Sequence, residues 1–462
     1  MTLTRSLYRL LLLALLVSLI TIACNSNPKP DVASVDDAST QTALSIWWEK
    51  GFALEEDEAL QQVVDTWQEQ TSNPIKLSFY TTDDLAARAQ RALQAGNPPD
   101  LMMSHSAEHS INPRLAWQGK LVDVSSVIEP IRDTYPRDVL DGVRFYNNVE
   151  KKRSYYAVPF SQTAMHPFYW RDLVKQAGFD DRNFPQNWDE YWNTWKQIQD
   201  KLRQQGQNIY SLGFPLSLGS ADADHFFEQV LEAFDVRVLN AEGQLQVDDS
   251  TVRQRIMDSL GWITQFYQQG YVPPDAVKWL SPDNNNNLLN RAVVMTPNAT
   301  LSIPTAVYQD QDTYLNKLGT LELPNKPNGQ PMRYVVLHRQ IVVFADAKQH
   351  DTAKQFLSYL LNADTLGPYL KASGRNLPVT QPVWDDPFWT NPADPHLSIT
   401  SKVLLQGQTR PFYSAYHPAY SVVIEEEIWT RAINRILLEK IPVEQAADEA
   451  IDKIKQTFDQ WR

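Results

Sequence analysis

Between Leu44 and Met103, three short apolar runs alternate with two helix-length stretches, and no other feature limits the fold as much. Leu44 to Trp48 reads as a buried strand. Ile75, Leu77 and Phe79 alternate as a second strand, and Leu101-Met102-Met103 is a third. Between the first two, Leu60, Val63, Val64 and Trp67 share one face of a helix from about Glu56 to Gln70, which Pro74 ends. Asp83 or Asp84 can cap the next helix, which carries Leu85, Ala89, Ala92 and Leu93 inward. Parallel strands need a crossover between them, usually a helix, so this order predicts a parallel sheet in an α/β domain.

The rest of the chain is read more coarsely. Tyr155, Ala157 and Pro159 suit an extended piece. Helices are expected at about 188–205, 222–234 and 250–268, with Trp188, Trp192 and Trp195 recurring at helical spacing as core. The four-Asn run Asn284 to Asn287 is expected to be a surface loop. Residues 320–331 are rich in proline and glycine and suit a crossover. A strong strand, Tyr334 to Ala345, leads into a helix at 351–362. Residues 418–460 read as largely helical, with Pro442 at a junction, and no internal repeat is visible.

The N-terminus speaks to location. Arg5 and Arg9 precede an apolar run from Leu10 to Ile20, and Ala23 stands directly before Cys24, the one cysteine of the chain. These are the parts of a secretory signal, residues 1–23, with Cys24 placed for lipidation as in a bacterial lipobox, although Thr21 stands where Leu is usual. The alternatives are a plain signal peptide with an incidental cysteine and an uncleaved anchor, for which the run is short. Residues 24–42, small, polar and proline-bearing, read as a lipidated cysteine and flexible tether. A single cysteine excludes a disulfide framework and a cysteine-rich metal centre. The formal charge of −13 argues against nucleic acid or an anionic membrane surface as the main partner.

Several blocks, taken in order, resemble the sugar-binding, maltose-binding-protein-like family of extracellular solute-binding proteins that feed ABC importers. They are AGNPPDLMM (95–103), YAVPFSQTAMHPFYWRDLVKQAGF (156–179), FPQNWDEYW (184–192), YQQGYVPPDA (267–276), RAVVMTPNATLSIP (291–304), HRQIVVFADAKQHDTAKQFLSYLLN (338–362) and SGRNLPVTQPVW (373–384), followed by 423–455. The resemblance implies a two-lobe periplasmic-binding-protein fold of class α/β, with discontinuous lobes on a hinge. The first lobe would be 43–158 with 325–363, and the second 159–324 with 364–462. Ligand would bind in the cleft, a carbohydrate most of all, and the lobes would close over it for delivery to the importer's transmembrane subunits. This reading needs no cofactor, no metal and no nucleic acid, takes the protein as a monomer, and places it lipid-anchored on the cell envelope, facing the periplasm or the exterior.

A sugar offers hydroxyl rims and apolar ring faces, so its site needs aromatic plates and planar polar groups. Strand ends are where α/β sheets bind ligands. The candidates there are Trp47, Trp48, Glu49 and Lys50 after the first strand, Tyr80 and Asp83 after the second, and His105 and Glu108 after the third. On the family's cleft-facing blocks they are Gln162 and Thr163, Asn298 and Thr300, and Arg375 and Asn376. Leu301 stands where a stacking Trp is expected, and Tyr413 and Tyr416 are candidates to supply the missing plate.

Four other readings compete, one of them a peptide-binding or scaffolding lipoprotein with an unused cleft. Arg375 and Lys50 would suit a polyol phosphate or an anionic sugar. His105, Glu108 and His109 spell the His-x-x-Glu-His string of inverted zinc peptidases, which there lies on a helix with a further ligand downstream. Paired acids would suit a secreted glycosidase, but no catalytic motif stands out. The anchoring expectation has a direct check: Cys24→Ala should move the protein from the membrane fraction to the soluble fraction, and retention of the variant on membranes would refute lipidation.

Overall fold

A computed structural model describes residues 42–461, so Cys24, the signal sequence and all of the tether but Thr42 lie outside the described residues. Strand β1 (Leu44–Glu49) is central and parallel to both β2 (Ile75–Tyr80) and β3 (Leu101–Met103). Helices Leu54–Thr71 and Thr82–Gln94 make the two crossovers. The alternation read from the sequence is thus a parallel sheet. Thr81 holds the N-cap position of the second of these helices without a side-chain cap hydrogen bond, and Asp83 and Asp84 fall inside its first turn.

After a hairpin of β4 (Arg144–Asn147) and β5 (Lys152–Tyr155), strand β6 (Val158–Ala164) runs into β7 (His166–Trp170) with only Met165 between them. That single residue carries the chain from one sheet to another. Strand β7 pairs antiparallel with β9 (Val293–Asn298) and β10 (Leu318–Thr320), and β8 (Tyr210–Leu212) lies parallel to β9, giving the order β10-β7-β9-β8. The chain then returns to the first sheet through β11 (Arg333–Val343), antiparallel to both β3 and β6, and β12 (Gln408–Arg410) closes that edge.

Helix Trp188–Gln204 shows why these residues take this form. Asn187 caps it by accepting from the Glu190 N–H, Asp189 and Glu190 face the positive end of the helix dipole, and Lys201 and Arg203 sit at the negative end. Its Trp188 and Trp192 pack on Trp262 of helix Ser250–Gln268 with ring centroids 4.9 and 5.0 Å apart, and Trp195 stacks on Phe184 at 4.7 Å.

Two expectations are corrected. The four-Asn run is not a surface loop but helix Asp283–Leu289, with Asn284 and Asn285 buried. Asn is a poor helix former because its side chain competes for backbone groups. Here those side chains are occupied elsewhere: Asn284 donates to the Pro297 carbonyl at 3.3 Å and Asn285 to Ser302 at 2.9 Å. Helix Ala363–Ser373, grouped with the second lobe on sequence grounds, packs on helix Leu54–Thr71 beside the first sheet, and its Tyr369 meets Trp48 edge-on at 6.4 Å.

A buried ion cluster ties distant segments together. Glu232, on helix Ala221–Ala233, meets Lys326 at 2.8 Å, Arg333 at 2.9 Å and Arg410 at 2.6 Å. Burial pushes the Glu232 carboxyl up, but these cations outweigh it and hold it down at about 2. Among the described residues no helix is long and apolar enough to cross a membrane. Removing a fully buried indole costs both transfer energy and a cavity, so Trp195→Ala should lower the unfolding free energy by about 3–5 kcal/mol. Denaturant titration checks this, and a loss under about 1 kcal/mol would show that this helix face is not core.

Candidate functional site

A cavity of about 650 Å³ opens where the ends of β1 and β3 face the end of β9 and the start of helix Ala221–Ala233. Of the sequence candidates, Glu49, Lys50, His105, Asn298, Thr300 and Arg375 line it together. The strand-end argument supplied Glu49, Lys50 and His105, the family resemblance supplied Asn298, Thr300 and Arg375, and the two sets meet here.

The remaining candidates lie elsewhere. Alternation along β1 turns Trp48 into the core, 1% exposed and 5.6 Å from Phe160, while Trp47 leans edge-on against Tyr80 at 5.2 Å. Tyr80 in turn carries the Arg88 guanidinium over its ring at 4.5 Å. Gln162 and Thr163 are buried on the crossing strand. The Gln162 backbone exchanges hydrogen bonds with Leu377, and the Thr163 hydroxyl donates to the Ala299 carbonyl. Asn376 is buried beside that crossing. Tyr413 donates to the Val236 carbonyl at 3.0 Å beneath the Arg410 guanidinium, and Tyr416 lies beside it, so neither brings a plate to the cavity. The side chain of Asp83 is outside the described residues.

Three cavity-lining cations or imidazoles are each held from behind by a buried acid. Glu49 lies 2.7 Å from His105 Nδ1, Glu56 meets the Arg375 Nε at 2.8 Å and a terminal nitrogen of the same guanidinium at 3.1 Å, and Glu108 meets Arg339 at 2.8 Å. Glu108 is thus a support beneath Arg339, completely buried, rather than a cavity wall. Burial pushes the Glu49 carboxyl up, but His105, Arg375 and Thr82 outweigh it and bring it to about 2. Burial, with Arg339 beside it, lowers His105 to about 4. At neutral pH the pair is a carboxylate and a neutral imidazole.

The facing wall is acidic. Asp222 and Asp224 stand in the first turn of helix Ala221–Ala233, and burial raises them to about 6 and about 8. His109 and His225 also line the cavity, with Phe412 stacked on His109 at 4.2 Å. Sequence reasoning passed over Arg339, Asp222 and His225. A charged residue in the middle of the apolar run 334–343 was a readable signal for the first, and an acid pair opening a helix for the second. The His-x-x-Glu-His string does not converge on one point: His105 turns to Glu49, Glu108 to Arg339, and His109 stacks on Phe412 with its Nε2 3.7 Å from Glu108. Among the described residues no group of three or more His, Cys, Asp or Glu could hold a metal ion.

Two sheets joined by directly crossing strands, with a polar cavity at the strand ends of both, define a two-lobe binding protein. Residues 62–398 match the family described as bacterial extracellular solute-binding protein, and the chain belongs to that family. Its fold matches an ABC transporter solute-binding protein of Thermotoga lettingae bound with α-D-tagatose (TM-score 0.73, 19% identity, 90% of this chain and 99% of that one). It also matches maltose-bound MalE3 of T. maritima (0.71, 18%, 89% and 99%). A third match is the cyclic α-maltosyl-1,6-maltose binding protein of Arthrobacter globiformis (0.69, 19%, 90% and 98%). No curated protein matches the chain.

The Glu49–His105 pair contributes to the loss of stability in acid, together with other buried histidines such as His166 and His338. His105 has an ordinary value of 6.5 and a folded value of about 4, so the unfolded chain takes up its proton first and stability falls as pH drops from 6.5 toward 4. Glu49, with an ordinary value of 4.5 and a folded value of about 2, contributes stability above 4.5 that is lost as pH falls toward 2. His105→Gln should flatten the fall between pH 6.5 and 4 in urea titrations at stepped pH. An unchanged slope would show that His105 does not titrate differently in the two states.

Proposed function

We propose that the protein captures a carbohydrate in this cleft, closes its lobes over it and delivers it to an ABC importer without chemical change, tethered through lipidated Cys24. The observation that carries this is the 650 Å³ cavity lined from both sheets by planar hydrogen-bonding groups, among them His105, Arg375, Asn298 and Asn285. Such groups match paired hydroxyls. The half-exposed Phe52 is the lining residue that offers a benzene face, in the loop after β1. The hinge is proposed at Met165 and at the Gln162–Leu377 backbone pair, where the chain passes between the sheets. Closure would then be a shift of population toward the ligand-bridged state.

Family and fold support the reading as well, since the structural neighbours named above hold or bind tagatose, maltose and a cyclic maltosyl-maltose. The anionic-solute alternative is weakened by the ion pairs. Arg375 and Arg339 are each already engaged by a buried acid, Glu56 and Glu108, and Asp222, raised only to about 6, faces them across the cavity as a carboxylate. An anion entering here would meet little uncompensated positive charge.

Thermal unfolding with a panel of maltose, laminaribiose, D-tagatose and their phosphates tests this. A cognate sugar at a hundred times its Kd should add about 2.7 kcal/mol of stability. Its mass should be unchanged after incubation. Stabilisation by phosphorylated sugars alone would establish the anionic reading, and a changed sugar mass would establish an enzyme.

A further inference from the structure

The inference concerns Glu49 and rests on the reading of the cleft as a ligand site. Glu49 lines the cavity, yet its carboxylate is already filled. It is 2% exposed. One oxygen accepts from the Thr82 hydroxyl at 2.8 Å and lies 2.7 Å from His105 Nδ1, and the other accepts from the His105 backbone N–H at 2.8 Å. Three donors, two of them from His105, occupy it.

His105 is in the opposite position. Its ring lines the cavity with the side chain 11% exposed, and only Nδ1 is committed. A neutral imidazole has one N–H and one lone pair. An ionised carboxylate only accepts, so the hydrogen sits on Nδ1 and the lone pair on Nε2. We propose that Glu49 is a positioning residue that locks His105 in the Nδ1–H tautomer, and that the bare Nε2 accepts a hydrogen bond from a hydroxyl of the bound ligand. The site then requires a donor at that point. A ligand with an ether, an O-methyl group or an ionised phosphate oxygen there presents a second acceptor to an acceptor and is rejected. Arg339 and Arg375 support this arrangement, because with burial they keep the imidazole neutral down to about pH 4.

This differs from direct contact between Glu49 and ligand in what it predicts. Nitrogen-15 NMR of the full chain with labelled histidine reads the tautomer without any ligand. The wild-type Nε2 of His105 should resonate as a bare ring nitrogen, and Glu49→Gln should move it toward the Nε2–H form. A wild-type Nε2 that carries the proton overturns the proposal. That spectrum decides the point even if Glu49→Gln does not fold. Binding supplies the second arm, with whichever of maltose, laminaribiose or D-tagatose stabilises the wild type. Glu49→Gln and His105→Phe should each bind it roughly 10-fold more weakly, and the double variant no more weakly than His105→Phe. A further loss on adding Glu49→Gln to His105→Phe would mean that Glu49 touches the ligand itself, and would overturn the proposal. If none of the three sugars binds, the carbohydrate reading falls, while the tautomer measurement still decides whether Glu49 sets His105.

Discussion

A carboxylate taken out of water must meet a cation or a dense set of donors, and in this protein that requirement is met across long stretches of chain. Glu232 gathers Lys326, Arg333 and Arg410. Glu108 meets Arg339, Glu56 meets Arg375, and Glu49 meets His105. Each pair is made only when segments far apart in sequence have docked. Removing one partner of such a pair leaves an uncompensated buried charge, which typically costs 3–5 kcal/mol. These pairs therefore specify which segments lie together more than they add net stability.

The consequence for the cleft is a division of labour. Glu56 and Glu108 lie behind the wall, and Glu49, though it lines the cavity, is occupied, while His105, Arg339 and Arg375 line the cavity in front of these acids. A guanidinium held at two nitrogens by a carboxylate, as Arg375 is by Glu56, has lost its rotational freedom before any ligand arrives. Across the cavity Asp222 supplies acceptors from a helix start. Donor-bearing and acceptor-bearing walls on different sheets suit a ligand that carries both kinds of group around its rim, as a polyol does.

Strand β11 connects this site to the architecture. It pairs with β3 and β6 in the first sheet, carries Arg339 at the point where its pairing with β6 shifts register, and starts beside Glu232. A shift of register re-aims side chains locally. Arg339 thus sits at the point where the strand's register shifts, inside the polar triplet His338-Arg339-Gln340, and reaches the cavity.

Short-range physics made much of this legible in the chain itself. The β-α-β-α-β alternation of 44–103, the Trp188–Trp192–Trp195 face and the helical C-terminal stretch are periodicities, and periodicity is a local property. Strand ends could be found the same way, which placed Glu49, Lys50 and His105, while the family resemblance placed Asn298, Thr300 and Arg375 around the same cavity. Local pattern could not say which side of a strand end is filled. Trp48 is a core residue because helix Ala363–Ser373 covers it, and Glu49 is an occupied acid because Thr82, at a helix start, and His105, in the turn after β3, reach it. The Asn run is a helix because Ser302 and the end of β9 absorb its side chains. Sequence alone determined the elements and the neighbourhood of the site. Only the tertiary structure decided which polar groups face one another, because the energy of a buried polar group depends on its partner and the partners come from remote parts of the chain.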